Sequence, residues 1–252
     1  MFETEAPLAG RRQVARDTWV LAFAAPEIGH AALAGQFVNI GWRPGPLLRR
    51  PFSVYGGGDN VEILLKAVGA GTDQLLDLRA GDRVSLLGPL GRGFEIVAGP
   101  VLLVSGGLGV APMPLAARQA KLLGCGVHWA HGARTAADLC VEWHGDELTQ
   151  ATDDGSVGLP GSVLNAVTES EESAQILACG PNVMLRAVAE RWPDAQVALE
   201  TYMGCGTGVC LGCAVPLCSG GYDRACTEGP VYRAGDVDWP SLPGHLHYAP
   251  AR

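Results

Sequence analysis

Apolar residues along this chain follow two different rhythms, and the change falls near residue 100. In the first part, Val61, Ile63, Leu65 and Ala67 alternate with Glu62, Leu64 and Lys66, the period of two that a half-buried strand requires. Short segments at 36–42, 51–55 and 83–87 read as further strands, separated by clusters such as Gly56-Gly57-Gly58 and Gly88-Pro89 that punctuate strands. One helical stretch, Thr72 to Arg79, interrupts them. Closely spaced short strands of this kind predict an antiparallel barrel or sandwich. Beyond residue 100, Val101-Leu102-Leu103-Val104 is a continuous apolar run of parallel-strand type, followed by glycines and a helix through Leu123. Further strands are predicted at 127–130, 175–178 and 197–199, with a helix from Pro181 to about Trp192. Alternating strands and helices imply an α/β unit around a parallel sheet. From Glu200 onward there is little periodicity and much Cys, Gly and Pro.

Composition narrows the function classes. The 252 residues carry a formal charge of −8, so no basic footprint for nucleic acid is present and none is expected as a partner. No charge occurs between Glu95 and Arg118, yet Pro100, Pro112, Pro114 and several glycines break that window. A spanning helix needs about 20 helix-compatible residues, so a buried strand, a glycine turn and a helix start are expected there and no membrane association. Glu3 and Glu5 stand where a signal peptide would carry basic residues. The expectation is a cytoplasmic protein whose 8 cysteines are thiols.

Those cysteines are concentrated. Cys205-x4-Cys210-x2-Cys213 has the spacing of a ferredoxin-type [2Fe–2S] loop. Glycines 204, 206, 208 and 212 let backbone N–H groups approach the sulfurs. Cys226 is the natural fourth ligand and Cys218 its competitor. Structural zinc is a rival use of the same thiolates, although zinc sites usually show paired short spacings. Cys125 and Cys140 are expected in the core as small hydrophobes.

Two glycine turns carry nucleotide chemistry. Ser105-Gly-Gly-Leu-Gly-Val-Ala-Pro112 follows a strand and opens a helix, where a pyrophosphate can approach backbone and helix N-terminus. Pro112 suits a first helical turn. Ala178-Cys179-Gly180-Pro181 repeats the arrangement at the end of another strand. In the β-rich part, Arg49-Arg50-Pro51-Phe52-Ser53 offers a guanidinium for a phosphate and a hydroxyl for a flavin ring. Lys66-Ala-Val-Gly-Ala-Gly71-Thr72 ends a strand before a helix that Thr72 is expected to cap. No residue reads as a conventional acid, base or nucleophile, and no catalytic side chain is assigned. Histidines 30, 128, 131, 144, 245 and 247 form no convincing constellation.

Taken in order, Arg50-Pro-Phe-Ser53, Gly71-Thr72, Gly88-Pro-Leu-Gly91-Arg-Gly-Phe94, Gly106-Gly-Leu-Gly-Val-Ala-Pro112, Cys179-Gly-Pro181 and the cysteine tail closing with Cys226-Thr-Glu-Gly-Pro-Val231 make a pattern. The chain resembles the ferredoxin–NADP reductase superfamily and, within it, the electron-transfer subunits of class 1B dihydroorotate dehydrogenase. The resemblance implies a β plus α/β fold: an N-terminal antiparallel FAD-binding β-barrel (1–97), a central Rossmann-like NAD-binding domain (98–199) and a small C-terminal [2Fe–2S] domain (200–252). It implies that FAD is held by Arg50, Pro51, Phe52, Ser53, Leu64, Leu65, Lys66, Gly71 and Thr72. The nicotinamide site would be Gly106, Gly107, Gly109, Pro112, Cys179, Gly180 and Pro181, and the cluster ligands Cys205, Cys210, Cys213 and Cys226. It further implies an FMN-containing dihydroorotate dehydrogenase catalytic subunit as partner, in a heterotetramer of two of each. Electrons would run between dihydroorotate and NAD(H) in pyrimidine biosynthesis.

The chain also departs from that family's pattern. Thr207 and Val209 stand in the cluster loop. Arg134, after His131-Gly132-Ala133, is placed where an adenosine ribose would be read, with no acidic residue nearby in sequence to reject a 2′-phosphate. A reductase, transhydrogenase or sulfide dehydrogenase small subunit serving another acceptor is the alternative within the enzyme class. A nucleotide- and redox-sensing binding protein is the alternative outside it.

Overall fold

The structure is a computed structural model that describes residues 1–143, 146–167 and 173–242. His144, His245 and His247 lie outside the described residues. Six strands, β1 (Phe2–Ala15), β2 (Thr18–Ala24), β3 (Phe37–Gly41), β4 (Arg50–Gly56), β5 (Asn60–Lys66) and β6 (Arg83–Leu90), close into a barrel in the order β1-β2-β5-β4-β3-β6. Every neighbouring pair is antiparallel. The period of two in β5 turns Val61, Ile63 and Leu65 into the barrel core with Val20, Leu21, Val38 and Ile40.

β1 and β2 are not legible as strands from their pattern. Only Ala6 and Leu8 are buried along β1, too few to mark a face, and β2 is a short, nearly continuous apolar run of ambiguous type. The helix α1 (Pro26–Ala31) follows β2. The helix α2 runs Ala70–Asp77, two residues earlier than the sequence predicts. Thr72 is therefore inside the first turn, not at the cap. Its Oγ1 accepts from the Val68 and Gly69 N–H groups at 3.0 and 3.2 Å, pulling the start of the helix back toward the end of β5.

The second unit is a seven-stranded sheet in the order β10-β9-β8-β7-β11-β12-β15. Its strands are β7 (Val101–Gly106), β8 (Val127–Ala133), β9 (Glu147–Thr152), β10 (Leu159–Pro160), β11 (Gln175–Cys179), β12 (Gln196–Ala198) and β15 (Val231–Arg233). All pairs are parallel except the antiparallel β12–β15 edge. Every residue of β7 is buried. Val101 and Leu103 pack with the helix α3 (Met113–Leu122), while Leu102 and Val104 pack with α4 (Asn182–Arg191). The two helices thus cover opposite faces, as a doubly wound unit requires. Among the described residues, no helix is long and apolar enough to cross a membrane.

The cysteine-rich tail folds a two-stranded ribbon, β13 (Ala214–Pro216) with β14 (Tyr222–Arg224), before β15 joins the central sheet. It is fastened to the barrel as well, where the Arg92 N–H donates to the Gly229 carbonyl at 2.5 Å.

Candidate cofactor sites

Four thiols gather in the tail as two pairs. The Cys210 amide donates to Cys205 Sγ at 3.4 Å, and Cys213 Sγ lies 3.3 Å from Cys226 Sγ. Cys213 and Cys226 are buried, Cys205 is half-buried and Cys210 is exposed. All are free. Further amides point at sulfur: Thr207 N–H to Cys205 at 3.4 Å, Gly208 N–H to Cys226 at 3.1 Å and Gly212 N–H to Cys210 at 3.4 Å. The Thr207 and Cys210 amides bring the Cys205 thiol down to about 6, while burial pushes Cys226 up to about 12. Metal coordination deprotonates such a thiol outright. Two thiol pairs ringed by amide donors fit a two-iron cluster, each iron taking two thiolates. Cys218 points away, its Sγ 3.3 Å from the Val237 carbonyl.

The cluster loop rests on the barrel. Asn39, buried on β3, donates from Nδ2 to the Cys205 carbonyl at 2.9 Å, and a Cβ on Gly206 would overlap that amide. The strand partner of Asn39 is Pro51. The same pair of strands therefore carries both the loop's anchor and Arg50–Ser53. Ser53 pairs with Phe37 and Arg50 with Ile40. Arg50 is exposed at the start of β4, about 4 Å from where a Cβ on Gly71 would lie, so this arginine meets the α2 turn. Phe52 packs partly against the barrel core. Leu64 and Leu65 are both buried, Leu65 among the inward-facing core residues and Leu64 on the opposite face of β5.

Lys66 reaches across to the α/β unit, with Nζ 3.0 Å from Asp138 Oδ1. Arg16 and Thr135 also donate to Asp138. Burial alone would raise the Asp138 carboxyl, but the hydrogen bonds from Lys66, Thr135 and Arg16 outweigh it and hold the group down at about 2. A second tie joins Arg12 to Glu62 at 2.9 Å and Glu142 at 2.8 Å, with the Tyr55 hydroxyl 3.1 Å from Glu142. Segment 135–142 is thereby bolted to three barrel strands, which fixes the α/β unit relative to the barrel.

At the centre of the sheet, β7 and β11 are neighbours while the chain leaves them in opposite directions. This is the switch point at which open α/β sheets bind ligands. The loops after these strands touch: a Cβ on Gly109 would overlap the Cys179 carbonyl, and one on Gly106 would come within 2.7 Å of Met184 Sδ. Gly109 thus serves loop-to-loop packing, whereas Gly107 faces open space. Gly107–Val110 is a 3-10 turn and α3 begins only at Met113, with Pro112 as its cap. Pro181 caps α4 in the same way. Cys179 is half-buried, and desolvation followed by the nearby Glu200 carboxylate pushes its thiol up to about 12. It stays protonated at neutral pH.

His131 is fully buried, with Nδ1 2.9 Å from Ser105 Oγ, which accepts from Trp129 Nε1 at 2.8 Å. Burial lowers it to about 4. Arg134 is exposed, and the turn after β9 brings acidic residues beside it: the Asp153 N–H donates to the Ala133 carbonyl at 3.0 Å and the Asp154 N–H to the Arg134 carbonyl at 3.3 Å. These carboxylates lie about twenty positions away in sequence and only the β8–β9 pairing reveals them. Asn39, Asp138 and Arg224, which braces the loop from β14, were likewise invisible to motif reading, since each acts through a long-range contact. Cys125 and Cys140 are core thiols as expected.

Comparisons with known proteins agree with this geometry. Residues 200–238 match the family described as the iron–sulfur cluster binding domain of dihydroorotate dehydrogenase B. The chain is 35% identical over 247 residues to the dihydroorotate dehydrogenase B (NAD(+)) electron transfer subunit of Desulforamulus reducens, covering 90% of this chain and 94% of the relative. The corresponding subunit of Bacillus caldolyticus is 38% identical over 247 residues, with 91% and 96% covered. Among solved structures, an NADH-dependent reduced ferredoxin–NADP oxidoreductase, described for flavin-based electron bifurcation, superposes with a TM-score of 0.83 at 30% identity, covering 95% of this chain and 91% of that one.

Proposed function

The chain belongs to the family of dihydroorotate dehydrogenase B electron-transfer subunits, and from that membership we propose how its own residues carry the activity. It is an NAD-linked flavin oxidoreductase subunit of pyrimidine biosynthesis that passes electrons between a catalytic partner subunit and NAD+, using FAD and a [2Fe–2S] cluster. When bound, these groups convert hydride exchange with the nicotinamide into single-electron transfer; the protein holds them in register and keeps water out.

Cys205, Cys210, Cys213 and Cys226 ligate the cluster, and the amides aimed at their sulfurs stabilise its charge. Arg50 pairs with a phosphate of FAD, Gly71 and Thr72 hold the turn before α2, and Pro51, Phe52, Ser53, Leu64 and Lys66 line the flavin, while Leu65, whose side chain is in the barrel core, offers it only backbone. Gly106, Gly107, Gly109, Pro112, Cys179, Gly180 and Pro181 form the nicotinamide site. Units 1–97, 98–199 and 200–252 carry FAD, NAD(H) and the cluster respectively, with β15 as the tail's anchor in the central sheet. Asp153 and Asp154 beside Arg134 favour NADH, since carboxylates repel a 2′-phosphate.

The partner is an FMN-containing subunit that oxidises dihydroorotate to orotate, assembled two-and-two with this chain. Val209 and Leu211 are exposed on either side of Cys210 and give the cluster edge an apolar rim for that contact. The reducing cytoplasm is the compartment we assign, because cluster assembly requires unoxidised thiols.

The observation that carries the reading is the seating of the four-thiol loop, through Asn39, on the strand that pairs with Arg50–Ser53. Purified protein co-expressed with a candidate catalytic subunit tests it. Dihydroorotate should drive NAD+ reduction in the complex, and NADH should bleach the flavin band of the isolated chain. A flavin-free, iron-free preparation would refute the cofactor assignment. A functional partner without dihydroorotate activity would redirect it to a transhydrogenase-type small subunit, a reading the 30%-identical oxidoreductase keeps open.

A further inference from the structure

The cluster loop is braced from outside by a charged pair that the cysteine spacing does not announce. Arg224, the last residue of β14, donates from Nη1 to the Gly208 carbonyl at 3.1 Å. Its Nε donates to Glu228 Oε2 at 3.0 Å, its backbone N–H to the same oxygen at 2.8 Å, and its Nη2 to Oε1. Thr227 Oγ1 completes the collar, donating to Glu228 Oε2 at 2.8 Å. Gly208 sits beneath it at φ +82°, where a Cβ would come within 2.9 Å of the Thr227 methyl. Its N–H in turn donates to Cys226 Sγ at 3.1 Å, closer than the Thr207, Cys210 and Gly212 amides come to their sulfurs, each at 3.4 Å. The guanidinium is also within electrostatic reach of Cys213 and Cys226, the two buried thiols.

We propose that Arg224 and Glu228 are positioning residues that set the reduction potential of the cluster site. Arg224 fixes the Gly208 backbone on the Cys226 sulfur, and the Arg224–Glu228 pair balances the charge beside Cys213 and Cys226. The proposal rests on the assignment of the four cysteines as ligands of a [2Fe–2S] cluster. Hydrogen bonds to sulfur and the net charge of the surroundings both tune such a potential. A neighbouring cation favours the more negative, reduced form and an anion opposes it. In the intact pair the two effects nearly cancel, so removing either partner should expose the other. The planar fork of arginine is what lets one side chain bind a carbonyl and a carboxylate together, and lysine keeps only the charge.

The test uses the full chain in complex with its catalytic partner. Iron and acid-labile sulfide are measured per chain, and the cluster midpoint potential is followed by EPR in a redox titration. Iron-free wild type would remove the cluster assignment itself. With the wild-type cluster present, Arg224→Gln should shift the midpoint to more negative values and Glu228→Gln to more positive ones. Arg224→Lys should fall between wild type and Arg224→Gln. Both shifts should shrink at high salt, because the side chains are 39% and 29% exposed. Shifts of the same sign in both variants, or no shift in either at full iron content, would overturn the proposal and leave the cluster assignment standing. Should Arg224→Gln lose its cluster, Glu228→Gln and Arg224→Lys still decide the sign.

Discussion

Asn39 Nδ2 and the Cys205 carbonyl are 2.9 Å apart, and this one hydrogen bond seats the cysteine loop on a barrel strand whose partner carries Arg50–Ser53. Asn39 is 2% exposed, so replacing it by leucine leaves the Cys205 carbonyl without its buried donor. Such a loss costs about 1–3 kcal/mol, and the bulkier branched side chain also collides with Gly206. Asn39→Leu should lower the thermal midpoint and slow electron passage from NADH to a cluster-dependent acceptor. NADH reduction of the flavin should persist. Stopped-flow absorbance at the flavin and cluster bands separates the two steps.

The choice between Cys226 and Cys218 as fourth ligand gives a second prediction. Cys226 faces Cys213 at 3.3 Å and receives the Gly208 amide, while the Cys218 thiol lies 3.3 Å from the Val237 carbonyl. Cys226→Ser should therefore abolish most iron and sulfide incorporation. Cys218→Ser should leave both unchanged, together with the visible spectrum. Equal loss in the two variants would reassign the ligand set.

How far the sequence speaks depends on how local the determinant is. The β5 alternation, the β7 apolar run and the Cys205–Cys213 spacing are local, and each specifies its element or site within a few residues. β1 fails as a pattern because a barrel strand facing mostly solvent buries only Ala6 and Leu8. The short strand β10 and the edge strand β15 are too brief to show a period, and β15 is a strand only because β12 offers it an open edge. Asp153 and Asp154 come beside Arg134 through sheet pairing, and Lys66 meets Asp138 across the barrel seam. No spacing rule encodes either encounter.

Gly109 offers a steric test of the proposed nicotinamide crevice. Its Cα faces the Cys179 carbonyl and the Gly180 nitrogen with no room for a methyl group, and these are backbone atoms, which cannot turn aside. Gly109→Ala should push the two loops apart, costing about 1–3 kcal/mol of stability as other overpacked sites do. NADH-dependent flavin reduction should fall at least about tenfold, the equivalent of ~1.4 kcal/mol, with FAD content preserved. Gly107→Ala, facing open space but at φ +54°, should be milder in stability. Titration of NADH against flavin bleaching in the two variants checks the order.

One buried and one half-buried group should give stability separate pH dependences. His131 titrates near 4 in the native protein against 6.5 when exposed, chiefly because burial disfavours its charged form. Above about pH 6.5 it is neutral in both states and contributes no slope. As the pH falls toward 4, the unfolded chain takes a proton that the native chain refuses, so stability declines by up to about 3 kcal/mol. Asp138 works lower: its native value of about 2 lies beneath the ordinary 3.8, so its contribution is complete above 3.8 and disappears as the pH falls through 2. The side chain is only 10% exposed, which supports a magnitude of about 1–2 kcal/mol. Chemical unfolding of the wild-type chain between pH 7 and 4.5 should show the first slope, and His131→Gln should flatten it. Asp138→Asn should instead destabilise the protein throughout that range, because Lys66 loses its ion pair at every pH, while leaving the slope in place. A flattened slope in Asp138→Asn, or an unchanged one in His131→Gln, would assign the pH dependence to other groups.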